Sequence, residues 1–296
     1  ACQQPAAPAE APQPEVPAEP GTTAPETTEP ETTAPAVEFK SKDPETLYLA
    51  YGDLSVDTLD PALAYDTMSG EMLQNVYETL IFYDGESLSE FVPKLAAEMP
   101  TVSEDGTVFT FKIRENVKFH NGDVLTPTDV AYSFQRGLLQ GGTSSPQLLL
   151  TEPFLGVGID DVSLLVDPEG NLYDDQAGIA AADPAVLMEA CQKVQNAIVA
   201  DDAAGTVTMT LAQPWGPFIS TIANNWGSIM DKKWVVENGG WDGTCETWQN
   251  YYGVSSADDP FSVMANGTGP FKIDKFVNQD EIVLVRNEDY WREPAK

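Results

Sequence analysis

The sequence predicts an α+β fold, a mixed sheet with helices, preceded by an unstructured arm. Three observations carry this. From residue 46 onward, strand-like alternation and helix-like periodicity interleave without the steady βαβ rhythm of a parallel sheet. Hydrophobic residues make up 42% of the 296, enough for a core, and the length suits roughly one to two domains. Residues 1–40 differ sharply: nine Pro, seven Glu and one aromatic, Phe39, too little apolar area to offset the entropy of ordering them.

The arm (residues 1–40) is read as disordered and partly polyproline II, extended further by its net charge of −6 from seven Glu and one Lys. It reads either as a generic linker or as a tether headed by Ala1-Cys2. A small residue before Cys is what remains at a bacterial lipoprotein cleavage site. A diacylated Cys2 would supply the two acyl chains that stable anchoring needs.

The elements follow in order. Thr46 to Tyr51 reads as a buried strand, and Asp53 to Pro61 as a turn region. Asp66 or Thr67 can cap a helix whose face is Met72, Leu73, Val76, Tyr77 and Leu80. Glu104-Asp105-Gly106 is a turn leading into a strand to Ile113, with Phe109, Phe111 and Ile113 on one side. Thr126-Pro127-Thr128-Asp129 starts a helix that buries Val130, Phe134 and Leu138. Asp183-Pro184 starts another, to about Val199, burying Leu187, Cys191, Val194 and Ile198. Gly205 to Leu211 alternates as a strand. Residues 217–224 and 231–238 read as helical, the second stopped by Gly239-Gly240. Phe271–Phe276 and Ile282–Arg286 form a hairpin around Asn278-Gln279-Asp280.

Composition excludes several functions. A formal charge of −32 repels phosphate backbones, so no nucleic acid is expected as partner. No run of about 18 apolar residues is present to span a membrane. His120 is the single histidine; it sits at a strand end running into Asn121-Gly122-Asp123 and reads as a turn residue. The loop Asp167-Pro168-Glu169-Gly170-Asn171 with Asp174 and Asp175 has calcium-type oxygens but fails the EF-hand pattern at Leu172. Carboxylate pairs such as Asp160-Asp161 arise by chance in so acidic a chain. Neither metal nor cofactor is expected, and no catalytic constellation emerges. In an exported protein the pair Cys191 and Cys245 predicts a disulfide, the alternative being two buried thiols. The aromatics after residue 213 read mostly as core, with a few suited to a ligand wall.

Several stretches resemble one family. They are Leu59-Asp60-Pro61; Asn75-Val76-Tyr77-Glu78-Thr79-Leu80; Pro93-Lys94-Leu95-Ala96; Asp105-Gly106-Thr107 with Phe109 to Arg114; Val117 to Asp123; Thr126 to Phe134; Gly267-Thr268-Gly269-Pro270-Phe271; and Arg286 to Trp291. In this order and spacing they resemble the family 5 extracellular solute-binding proteins, the peptide, nickel and oligopeptide receptors of ABC importers.

The resemblance covers about residues 44–296 and implies a periplasmic-binding-protein-like lobe of class II, cluster C, with the second lobe beyond Lys296. It implies a first part of lobe I at 41–77, an inserted subdomain at 78–231 and a return at 232–296. Leu47 and Leu49 would then share a sheet with Phe271–Phe276. It implies a monomeric, lipid-anchored extracytoplasmic receptor that passes a peptide or other small solute to permease subunits and is no enzyme. By resemblance the ligand faces three segments: Tyr65, Asp66 and Thr67, pairing with a peptide backbone; the Ser145-Pro146 step with Gln147; and Asn224, Asn225 and Trp226. A secreted hydrolase and a surface adhesin stand as alternatives. One histidine without a nucleophile motif argues against the first, and the ordered motifs argue against the second.

Overall fold

The computed structural model describes residues 43, 45–142 and 145–293. The expectations for residues 1–40, lipidation of Cys2 included, lie outside them. The described part of Ala1–Ala50 forms one unit and Tyr51–Lys296 a second. The strand expected at 46–51 does not form, and Leu47 and Leu49 are 81% and 60% exposed. A strand persists only where a neighbour takes up its backbone groups. The sheet expected to join Leu47 and Leu49 to Phe271–Phe276 required that strand, and 46–51 does not supply it.

In the second unit, helix α1 (Thr67–Val76) begins at Asp66, whose side chain accepts a hydrogen bond from the Ser69 amide at 2.8 Å. Strands β1 (Ile81–Tyr83) and β2 (Phe91–Pro93) pair as a small antiparallel sheet. Strands β3 (Thr101–Val102) and β4 (Val108–Lys112) begin the larger one. Helix α2 (Pro127–Gln140) carries a reciprocal cap, in which Thr126 accepts from the Asp129 amide and Asp129 accepts from the Thr126 amide. Then follow α3 (Leu148–Leu155), α4 (Ser163–Val166), α5 (Gln176–Ala180) and α6 (Pro184–Ala197). Strands β5 (Ile198–Asp201) and β6 (Thr206–Thr210) complete an antiparallel sheet of order β3-β4-β6-β5. Helices α7 (Phe218–Ile222) and α8 (Lys232–Glu237) precede the hairpin of β7 (Phe271–Val277) and β8 (Glu281–Arg286).

The alternation read in β4 and β6 sets the core. Phe109 opposes Met209 and Phe111 opposes Val207, all four buried. Helix α2 lies against β5, β6 and α6, and buries Val130, Phe134 and Leu138. Ile198 and Val199, expected at the end of a helix, open β5 instead, because pairing with Met209 and Thr208 satisfies their backbone. Cys191 of α6 and Cys245 form the expected disulfide, with Cα atoms 5.5 Å apart. The bond ties α6 to a segment whose Trp241, Trp248 and Tyr252 are buried. No helix among the described residues is long and apolar enough to cross a membrane.

Candidate functional site

The three segments picked out by resemblance, far apart in sequence, meet on the second unit. The first follows Asp60, whose Oδ1 accepts from the Ala62 amide at 2.8 Å and turns the chain toward Tyr65. The second is joined to it by Ser145, whose hydroxyl donates to the Ala62 carbonyl at 2.8 Å. The third is joined by Asn225, whose amide donates to the Ala64 carbonyl at 3.3 Å. The Tyr65 and Trp226 rings lie 6.2 Å apart, tilted by 57°.

Tyr65 and Thr67 are exposed, and Asp66, Asn224, Asn225 and Trp226 are half-buried. Asn224 turns its amide back to the Ser220 carbonyl and closes α7. Gln147 differs from the expectation of an open amide offered to a ligand: only 3% of it is exposed, and Nε2 donates to the Trp226 carbonyl at 3.3 Å. Its place is behind the wall, because Gly137 on α2 leaves room there for the amide. Among the described residues, three polar atoms of this region are buried without a hydrogen-bond partner: Asp66 Oδ2, Gln147 Oε1 and Trp226 Nε1. Buried polar atoms of a native fold are rarely left so, and their clustering sets this region apart.

Beneath the wall, Arg136 is buried and donates to both oxygens of Asp60, at 2.8 Å to Oδ1, with Asp259 3.9 Å away. Burial alone would raise the Asp60 carboxyl, but the Arg136 guanidinium outweighs it and holds Asp60 below the usual carboxylate range. Burial and the Asp60 charge push Asp259 up to about 8, against the pull of Arg136. This cluster was not anticipated. Asp60 and Arg136 stand 76 positions apart, and no local pattern pairs them.

The motif residues meet in a structural junction. Glu78 is buried and accepts from Thr268 Oγ1 at 3.0 Å, Tyr290 OH at 2.8 Å and Trp291 Nε1 at 2.7 Å. A Cβ on Gly267 would lie 2.0 Å from the Val76 carbonyl oxygen, so only glycine allows this approach. His120 Nε2 sits 3.0 Å from the Gly269 carbonyl oxygen, which fixes Nε2 as the protonated nitrogen. Burial drives its pKa down to about 4, the Gly269 contact opposing and the Lys272 charge adding.

The folded value lies below the ordinary 6.5, so His120 contributes stability above pH 6.5 that is lost as pH falls toward about 4. With one histidine in the chain, an NMR titration follows it alone. The expected result is a neutral ring down to about pH 5; a midpoint near the ordinary value would overturn this placement. In the acidic loop, Asp167 accepts from the Glu169 and Asn171 amides and Asp175 caps α5. Among the described residues no group of three or more His, Cys, Asp or Glu is placed to hold a metal ion.

Residues 90–296 match the family described as bacterial extracellular solute-binding proteins, family 5 Middle. The dipeptide-binding protein DppE of Bacillus subtilis (strain 168) is 26% identical over 234 residues, covering 79% of this chain and 34% of that protein. The periplasmic murein peptide-binding protein MppA of Escherichia coli (strain K12) is also 26% identical over 234 residues, covering 79% of this chain and 35% of its own. The chain thus spans about a third of the length of these relatives. Among solved structures, the pheromone receptor PrgZ superposes with a TM-score of 0.54 at 21% identity, over 81% of this chain and 39% of that one. OppA of Listeria monocytogenes bound to peptide gives 0.53 at 23%, over 81% and 38%. At such identities the superpositions establish the fold.

Proposed function

Because the chain belongs to the family 5 bacterial extracellular solute-binding proteins, we propose that it supplies one lobe of a peptide receptor for an ABC importer. The wall formed by Tyr65, Asp66, Thr67, Asn224, Asn225 and Trp226 is one face of the cleft. The observation that carries this reading is the convergence of three distant segments through the Ser145–Ala62, Asn225–Ala64 and Tyr65–Trp226 contacts.

The chemistry suits a peptide. The segment 65–67, in which Tyr65 and Thr67 are exposed, can pair with a ligand backbone as an added strand would. Aromatic faces and amide groups tolerate varied side chains, with water filling the gaps. Relatives whose names state dipeptide and murein peptide binding support the substrate class. Such proteins bind and release and carry out no turnover. The rest of the reading follows: residues 41–77, 78–231 and 232–296 as successive parts of lobe I, a second lobe closing over the ligand, delivery to permease subunits, and a monomer tethered outside the cytoplasm through lipid on Cys2.

The test is calorimetric titration of an alanine series, two to five residues long, into the full-length protein. Micromolar or tighter binding of at least one member is expected. Trp226→Ala should weaken it about tenfold or more, as truncation of a central aromatic contact does. Asp66→Asn, which can still cap α1, should weaken binding without lowering the melting temperature by more than a few degrees. Affinity unchanged in both variants removes the wall from the binding site; no binding of any peptide overturns the substrate class.

A further inference from the structure

Resting on the peptide reading of this wall, we propose that Gln147 is a positioning residue: with Gly137 it forms a bracket that sets Trp226 at the cleft. Gln147 is buried, and its amide bonds the carbonyl of Trp226 itself. Its own amide N–H is held by Ser145 Oγ at 3.2 Å, and that hydroxyl also donates to Ala62. One short run therefore ties both other wall segments together, from behind and out of reach of solvent.

Gly137 makes this possible. A Cβ at that position would fall 2.8 Å from Gln147 Cδ, 2.9 Å from Oε1 and 3.0 Å from Nε2. The helix interior is a costly place for glycine, which orders poorly there. The space it leaves is occupied by the one amide that grips Trp226. Among the described residues Gln147 Oε1 has no partner, so the hydrogen bond to Trp226 is what holds the amide there. A methyl group pressing from α2 would displace the flexible end of the side chain rather than the helix.

The proposal predicts a particular non-additivity. Gly137→Ala and Gln147→Ala should each weaken binding of the tightest member of the alanine series about fivefold, the order of one lost hydrogen bond. The double variant should bind no worse than Gln147→Ala alone, because the new methyl enters space already vacated. The second readout needs no ligand. In protein labelled with 5-fluorotryptophan, the fluorine resonance assigned to Trp226 should move in both single variants, while those of Trp241 and Trp248 stay in place.

A Trp226 resonance unmoved by Gly137→Ala and Gln147→Ala overturns the bracket. So do strictly additive losses of affinity, or a moved resonance with unchanged affinity. If no peptide binds the unaltered protein, the function proposed above falls, and the resonance alone decides the bracket. Because alanine favours the helix more than glycine does, weaker binding in Gly137→Ala cannot be assigned to a melted α2.

Discussion

Arg136→Met is expected to destabilise the fold by about 3–5 kcal/mol, the range for stranding one partner of a buried ion pair. Arg136 is 5% exposed and Asp60 fully buried, so water cannot replace the lost guanidinium. The methionine would keep most of the packing against Phe261, over whose ring the guanidinium carbon lies at 5.1 Å. The loss then reports charge rather than volume.

The pH dependence identifies the cause. In the unaltered protein Asp60 is held below its ordinary 3.8, so its contribution is present above pH 3.8 and lost as pH falls through its folded value. Without Arg136 the buried carboxyl is raised instead and takes up a proton as the solution is acidified. The deficit of Arg136→Met should therefore shrink on going from neutral to mildly acidic pH. Asp259 behaves oppositely: its folded value of about 8 lies above 3.8, so its contribution fades as pH rises between these limits. Asp259→Asn should flatten that slope. Denaturant melts across the pH series measure all three; a pH-independent deficit below about 1 kcal/mol would show that the pair is not the anchor described here.

The second large effect belongs to the disulfide. Removing the Cys191–Cys245 bond, whose ends are 54 positions apart, should cost about 4 kcal/mol in the chain-entropy account. Both sulfurs belong to buried residues, so reductant will reach them slowly in the folded protein, and Cys191→Ala with Cys245→Ser is the cleaner comparison. The loss should concentrate around α6 and residues 241–252, where Trp248 Nε1 donates to the Leu187 carbonyl at 3.0 Å and Tyr132 stacks on Trp241 at 5.5 Å. Hydrogen exchange should quicken there before it does in β4 and β6. A double variant as stable as the unaltered protein would show that side-chain packing alone holds this segment.

Much of this architecture is written locally. The caps at Asp66, Thr126 and Asp183, the alternation of Phe109 with Phe111 and of Val207 with Met209, and the turn at Gln279 each depend on a few neighbouring residues. Local backbone sterics and side-chain caps act within one turn of chain, so the sequence by itself determined these elements, the acidic surface and the family motifs. Resemblance brought the three wall segments into view, but only the fold shows them touching.

Tertiary structure decided the rest. Thr46 to Tyr51 has strand-like residues but forms no strand. Ile198 left the helix because Met209 offered a partner. Pro153 stands inside α3, in a run that local pattern did not mark as helix. Gln147 reads as a polar loop residue until Gly137, ten positions earlier, opens a slot for it. Asp60, Arg136 and Asp259 become a buried cluster only when α2 is laid down. Burial, pairing and charge compensation depend on which groups the fold brings together, and no local periodicity or cap signal names the partner.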